Sequence, residues 1–120
     1  MIELNSIKLL FVDDQKENTL NYISFFTKYC HTIEVALDGE EAYAKYKEFN
    51  PDVILLDINL AKLDGLQVLE KIREEDTTTK IIMFTAHNEK KFIDKAYQLG
   101  VSKYLLKPVT RDELKNALKL

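Results

Sequence analysis

Five polar residues in this sequence have the types and positions needed for phosphoryl transfer onto a carboxylate. Two adjacent acids, Asp13 and Asp14, follow one apolar run, and Asp57, Thr85 and Lys107 each end another. Carboxylate oxygens are ligands that Mg²⁺ prefers, and an aspartate can act as a nucleophile that accepts a phosphoryl group. A hydroxyl and an ammonium group can stabilise charge on the transferred oxygens. The set predicts a Mg²⁺-dependent site with Asp57 as the nucleophile.

These residues can meet if the apolar runs are neighbouring parallel strands. The runs are IKLLFV (7–12), TIEVA (32–36), DVILLD (52–57), KIIMFT (80–85) and SKYLLK (102–107). The first, third and fourth are almost continuously apolar, which is typical of strands covered on both faces. Parallel strands end at the same edge of a sheet, where ligands bind. Positions scattered through the sequence would therefore converge on one edge.

Segments with helical spacing separate the runs and predict a doubly wound (βα)₅ fold of the α/β class with a parallel sheet. Their predicted buried faces are Leu20, Ile23, Phe26 and Thr27; Ala42, Tyr46 and Phe49; Leu66, Leu69 and Ile72; Phe92, Ala96 and Leu99; and Leu114 with Leu118. Turns are predicted at 38–39 and 64–65, and helix ends at Asn50 and Gly100. Thr110 and Glu113 have the spacing of a capping box.

The composition limits the class of protein. The 120 residues, 46% hydrophobic and 31% charged, are typical of one globular domain, which we expect to span 1–120. A net charge of −3 argues against nucleic-acid binding by this domain alone. The single cysteine, Cys30, excludes an internal disulfide and favours a reducing compartment. No apolar segment could span a membrane and no signal peptide is evident, so we expect a soluble, cytoplasmic chain.

The sequence resembles the response-regulator receiver domains, the phosphoacceptor modules of two-component signalling. The resemblance runs from LLFVDDQ through DVILLDINLAKLDGLQVLEKIR and IIMFTA to YLLKPVTRDEL. The residues most specific to that family are the acidic pair, Asp57, Thr85 and the Lys107-Pro108 dipeptide. It implies a flavodoxin-like three-layer fold with strand order 2-1-3-4-5. It also implies a protein that catalyses only its own phosphorylation and dephosphorylation and is otherwise not an enzyme.

The resemblance further implies roles in binding and transfer. Asp57 would accept the phosphoryl group from a sensor histidine kinase or a histidine phosphotransfer protein. Asp14 and Asp57 would bind Mg²⁺ directly, Asp13 would act mainly through water, and Asn59 would offer its backbone carbonyl. Lys107 would pair with the phosphoryl oxygens, and its bond to Pro108 is commonly cis in this family.

The resemblance also implies a switch. Thr85 would move to hydrogen-bond the phosphoryl group, and Tyr104 would swing inward with it, changing the face made by the fourth helix, fifth strand and fifth helix. We interpret that face as a surface for a downstream output domain or protein, or for a phosphorylation-dependent homodimer; its basic residues are Lys90, Lys91, Lys95, Lys103 and Arg111. Asn59 and His87 would tune hydrolysis of the acyl-phosphate. Ala61 replaces a proline that is frequent in the family.

Three other classes share part of the pattern. Haloacid-dehalogenase-type phosphohydrolases place a second Asp two residues after the nucleophile, but this chain has Asn59, whose amide cannot act as a general acid. Flavodoxin-like cofactor binders need glycine-rich phosphate loops, whereas VDDQKEN is acidic and lacks glycine. Cys30, His31 and His87 do not make a zinc set. We interpret Cys30 and His31 as the end of the first helix.

Overall fold

A computed structural model describes residues 6–119, although the side chains of residues 16–19 lie outside the described set. The described residues form five strands that alternate with five helices. They are β1 (Ile7–Val12), α1 (Lys16–Phe26), β2 (Cys30–Ala36), α2 (Gly39–Phe49), β3 (Val53–Leu56), α3 (Gly65–Arg73), β4 (Lys80–Thr85), α4 (Lys90–Gln98), β5 (Lys103–Leu106) and α5 (Arg111–Leu118). No helix among these residues has the length and apolar character needed to cross a membrane.

The strands form one sheet in the order β2-β1-β3-β4-β5, and all four neighbouring pairs are parallel. Residues of β3 and β4 are buried almost throughout, because helices cover both faces of the sheet. One face packs on α2, α3 and α4, and the other packs on α1 and α5. The predicted three-layer fold and strand order are confirmed.

Successive side chains of β1 show how the sequence builds both cores. Leu10 and Val12 enter the core on the α2–α4 side, while Leu9 and Phe11 enter the opposite core. Each of the four is 2% exposed or less, so each contributes about 1.5–3 kcal/mol of hydrophobic stabilisation. A polar residue at any of these positions would face a core on one side or the other.

Local signals begin α2, α3 and α5, and end α2 and α4, where the sequence predicts. The side chains of Asp38, Asp64 and Thr110 accept hydrogen bonds from backbone N–H groups in the first turns of α2, α3 and α5. Thr110 and Glu113 form the predicted capping box. Asn50 ends α2 in the left-handed region with φ 51°, and Gly100 follows α4 with φ 97°. Each side-chain cap, from Asp38, Asp64 or Thr110, contributes about 1 kcal/mol to the free energy of unfolding.

The prediction for the end of the first helix is wrong. Helix α1 ends at Phe26, and Cys30 and His31 begin β2, where Cys30 pairs with Ile7 of β1. The backbone ladder to β1 therefore extends β2 by two residues beyond the apolar run from which it was predicted.

The predicted buried face of α1 is also partly wrong. Leu20 is 68% exposed and Thr27 is exposed. Phe26 is fully buried as predicted, and Tyr22, which was not predicted, packs with it against Phe11, with ring centroids 5.7–6.0 Å from that of Phe11. The large rings bury more area than the leucine could, and their packing determines how the helix is rotated against the sheet.

Candidate functional site

The predicted site residues gather at the carboxyl edge of the sheet. Asp13, Asp57 and Lys107 lie directly after β1, β3 and β5, and Thr85 is the last residue of β4. Backbone hydrogen bonds extend the ladder into this edge. The Asp57 N–H donates to the Val12 carbonyl at 3.1 Å, and the Lys107 N–H donates to the Thr85 carbonyl at 2.8 Å. Residues up to 94 positions apart in sequence are thereby brought together.

Lys107 lies between two carboxylates. Its Nζ donates to Asp13 Oδ2 at 2.7 Å and to Asp57 Oδ2 at 3.0 Å. It also lies 5.0 Å from the centroid of the Phe84 ring, within the range of a cation–π interaction. The peptide bond between Lys107 and Pro108 is cis.

The three charged groups are largely withdrawn from water. Asp13 is 1% exposed and Asp57 8% exposed, and the Lys107 side chain is 16% exposed. Burial alone would lower the pKa of Lys107, but the hydrogen bonds and negative charges of Asp13 and Asp57 outweigh it and raise that pKa. One ammonium group facing two carboxylates leaves one negative charge uncompensated at this edge.

Asp13 and Asp14 have different surroundings, as expected for neighbouring residues at the tip of a strand. Asp13 is buried, and its Oδ1 accepts the Gln15 N–H at 2.9 Å. Asp14 is exposed. One carboxylate of the acidic pair therefore lies inside the ion-pair cluster, and the other is exposed to solvent.

Asn59 and Thr85 lie beside the cluster. The Asn59 N–H donates to Asp57 Oδ1 at 3.3 Å, so both oxygens of Asp57 have partners. Thr85 is fully buried, and its Oγ1 accepts the His87 N–H at 3.3 Å. A hydroxyl and a backbone amide are thus available at the same edge as the acid.

His87 connects several segments around the site. Its Nε2 lies 2.9 Å from Asn59 Oδ1, and its Nδ1 lies 3.4 Å from Glu89 Oε2. Its ring packs on Phe92 of α4, and its carbonyl accepts the Tyr104 hydroxyl at 2.7 Å. Burial raises the pKa of Tyr104 to about 12, and the charges of Glu89 and Asp57 add to the effect. Sequence reasoning did not assign Glu89 or Phe92 to the site, since neither lies at a strand end, and it placed Phe92 only on the buried face of the fourth helix.

The predicted surface around Tyr104 is partly as expected. The five basic residues named for it are all exposed. Lys90, however, is paired with Asp94 of the same helix at 2.8 Å. Leu106 of β5 and Tyr97 of α4 are 41% and 51% exposed, which adds apolar area that charge counting missed.

The chemistry of the donors at this edge fits Mg²⁺. The side chains are carboxylates, and they carry more negative charge than Lys107 neutralises. Among the side chains that the structure describes, which leave out those of residues 16–19, no three of His, Cys, Asp or Glu are already grouped as metal ligands. Mg²⁺ retains several waters and does not need a complete protein cage, so the site suits it better than zinc.

Comparison with known proteins identifies the family. Residues 9–119 match the family model described as response regulator receiver domain. The transcriptional regulatory protein TrcR of Mycobacterium tuberculosis is 38% identical over 111 residues, which are 90% of this chain and 42% of TrcR. The probable C4-dicarboxylate response regulator DctR of Halalkalibacterium halodurans is 46% identical over 80 residues, 67% of this chain and 35% of DctR. The chain spans less than half the length of these two relatives.

Solved structures agree. The CheX-CheY-BeF3-Mg complex from Borrelia burgdorferi contains a chain that matches with a TM-score of 0.86 and 30% identity, covering 93% of this chain and 86% of that one. A CheY-like receiver domain from Methanospirillum hungatei matches with a TM-score of 0.84 and 26% identity, covering 92% and 88%. On its family match, fold and strand order, this chain belongs to the response regulator receiver domains, which are signalling modules of two-component systems and not true enzymes.

Proposed function

We propose that Asp57 is the phosphoacceptor of this receiver domain, with residues 1–120 acting as one unit. The donor is a phosphohistidine on a sensor histidine kinase or a histidine phosphotransfer protein. The observation that carries the proposal is the ammonium group of Lys107, held 2.7 Å from Asp13 and 3.0 Å from Asp57 in a largely buried cluster. A buried acid beside a fixed cation is suited to bind and neutralise an incoming phosphoryl group.

The transfer is a displacement at phosphorus. An oxygen of Asp57 forms the new P–O bond while the P–N bond to the donor imidazole breaks, and the imidazole nitrogen leaves with the electron pair. Lys107 donates to the phosphoryl oxygens, and the Thr85 hydroxyl donates to another of them. Lys107 already donates to Asp57, so its ammonium group is in place before the phosphoryl group arrives, whereas Thr85 moves toward that group on phosphorylation.

Mg²⁺ is the cofactor that the donor set supports. Asp14 and Asp57 would bind it directly, Asp13 mainly through water, and Asn59 through its backbone carbonyl. It would supply positive charge that offsets the carboxylates and the transferring oxygens. The relative from Borrelia burgdorferi was solved with Mg²⁺.

Phosphorylation would switch the face formed by α4, β5 and α5. The Thr85 hydroxyl gains an acceptor in the phosphoryl group, and the adjoining His87 carbonyl already holds the Tyr104 hydroxyl. A shift of Thr85 is therefore passed through the backbone to Tyr104. The partner of this face is a downstream output domain or protein, or a second phosphorylated copy. Asn59 and His87, joined by their side chains, tune how fast the acyl-phosphate hydrolyses.

Intact-mass measurement with Mg²⁺ and a small acyl-phosphate donor tests the central proposal. The native protein should gain one phosphoryl group, and Asp57→Asn should gain none. Asp112→Asn removes an exposed carboxylate on α5 and is the matched control, which should be phosphorylated like the native protein. No gain in the native protein, or an equal gain in Asp57→Asn, would refute the assignment. Steady turnover of phosphate esters would favour a phosphohydrolase instead.

A further inference from the structure

The loop that follows the proposed phosphoacceptor is attached to a neighbouring turn. We define the acceptor loop as residues 57–64, between β3 and α3, and the β2–α2 turn as residues 37–39. The Gly39 N–H donates to the Ala61 carbonyl at 3.1 Å. Beside it, Lys62 Nζ lies 3.6 Å from Asp38 Oδ2. Two contacts therefore connect the middle of the acceptor loop to the start of α2.

The approach at Gly39 is too close for any other residue. A Cβ at this position would lie 1.9 Å from the Leu63 carbonyl oxygen and 2.6 Å from its carbonyl carbon. Both atoms belong to the acceptor-loop backbone, so the loop itself would have to move. At the other end of the loop, a Cβ on Gly65 would lie 2.0 Å from the Asp57 carbonyl oxygen. The loop is thus held between two glycines.

The acceptor loop has hydrogen bonds of its own, from the Leu63 N–H to the Ala61 carbonyl at 2.8 Å and from the Gly65 N–H to the Ile58 carbonyl at 2.9 Å, but its middle also needs support from outside. Ala61 has no ring to set φ, as a proline would. Lys62 lies in the left-handed region at φ 71°, where non-glycine residues are disfavoured. Such a conformation persists only where its surroundings hold it. The surroundings here include the Gly39 N–H and the Asp38 carboxylate.

We propose that Gly39 is a positioning residue for phosphoryl transfer, because it sets where the acceptor loop lies relative to Asp57. The inference rests on the proposed phosphoacceptor role of Asp57. The loop carries Asn59, whose N–H contacts Asp57 Oδ1 and whose side chain contacts His87. A displacement of the loop would therefore misplace the groups around the reacting oxygen, and misplacement of about 1 Å can cost up to a hundredfold in rate.

The native protein offers a direct probe, since the chain has three glycines. Labelling glycine with ¹⁵N gives three amide signals, from Gly39, Gly65 and Gly100. Gly39 and Gly65 donate into the acceptor loop, whereas Gly100 donates to Tyr97 at the opposite edge of the sheet. Adding Mg²⁺, and then an acyl-phosphate donor, should move the first two signals and leave Gly100 in place. A Gly39 signal that stays fixed while Gly65 moves would overturn the inference.

Variants test the consequence for the reaction. Gly39→Ala should slow phosphorylation ten- to a hundredfold. Gly100→Ala is the matched control, because alanine at φ 97° is strained but lies far from Asp57. It should lose thermal stability and keep the native phosphorylation rate. A native rate in Gly39→Ala, or equal slowing in Gly100→Ala, would overturn the positioning role.

A milder variant keeps the test decisive if Gly39→Ala does not fold. Asp38→Asn retains an N-cap for α2 but removes the charge that pairs with Lys62. It should shift the Gly39 amide signal and slow phosphorylation several-fold, and an unchanged signal and rate would count against the proposal. Intact-mass measurement distinguishes a failure of the phosphoacceptor role of Asp57 from a failure of the positioning role of Gly39. An unphosphorylated native protein refutes the role of Asp57, whereas a phosphorylated protein with an unresponsive Gly39 refutes only the positioning role.

Discussion

Replacing Lys107 by Met removes the charge that two buried carboxylates share. Breaking a buried ion pair costs about 3–5 kcal/mol, because the remaining charge is left uncompensated. The contacts with Asp13 and Asp57 share one ammonium group, and the Lys107 side chain is 16% exposed. The lower end of this energy range therefore applies. Met keeps most of the aliphatic chain, which limits the loss of packing. We therefore expect a loss of about 3 kcal/mol in the free energy of unfolding.

Thermal unfolding followed by circular dichroism at pH 7 measures this loss. For a chain of this length, 1 kcal/mol shifts Tm by about 4 °C, so Lys107→Met should unfold about 12 °C below the native protein. The pKa of Lys107 is raised above its ordinary 10.5. The contribution of Lys107 to the free energy of unfolding is therefore fully present below pH 10.5, and it is lost only as pH rises through the higher pKa of the folded state. A measurement at pH 7 therefore includes all of it.

Lys90→Met is the matched control, because Lys90 is exposed on α4 and pairs only along its own helix with Asp94. Its Tm should stay close to that of the native protein. Added Mg²⁺ should raise the Tm of Lys107→Met more than that of the native protein, since a cation then replaces the missing charge. If Lys107→Met were no less stable than Lys90→Met, the cluster would not be the buried ion pair on which the proposed site depends.

Three further predictions concern stability and access. Thr110→Ala removes the cap of α5 and should lower the free energy of unfolding, measured with urea, by about 1 kcal/mol. Thr77→Ala, at an exposed position, is the control and should lower it less, and equal losses would contradict the cap assignment. Tyr46→Phe removes the 2.7 Å hydrogen bond to Asp76 and should lower the free energy of unfolding by about 2 kcal/mol at pH 7. Burial opposes ionisation of Asp76, but bonds from Thr79, Tyr46 and neighbouring amides lower its pKa overall. The Tyr46→Phe difference should therefore shrink as pH falls below about 4, and a pH-independent difference would refute this reasoning. Cys30 is 8% exposed, and burial raises its pKa to about 11. Thiol reagents at pH 7 should therefore label it slowly until denaturant unfolds the chain. Rapid labelling of the folded protein would contradict its burial.

Local patterns in the sequence predicted most of the elements. The continuous apolar runs identified β1, β3 and β4, and Asp38, Asp64 and Thr110 capped helices within a residue or two of the predicted starts. These features are readable because strand alternation, helix periodicity and capping depend on residues a few positions apart. The end of α1 was the exception. Pairing of Cys30 with Ile7 in the neighbouring strand extended β2, and no local pattern contains that pairing.

The sequence by itself determined which residues reach the carboxyl edge of the sheet, because each ends an apolar run and parallel strands end together. Only the tertiary structure decided how they contact one another: Lys107 between Asp13 and Asp57, and His87 on Asn59. It also brought Gly39 against the acceptor loop. Contacts of this kind join residues 22 to 94 positions apart and depend on rotamers and loop conformations. Those conformations are selected when the whole core packs, so no short stretch of sequence can specify them.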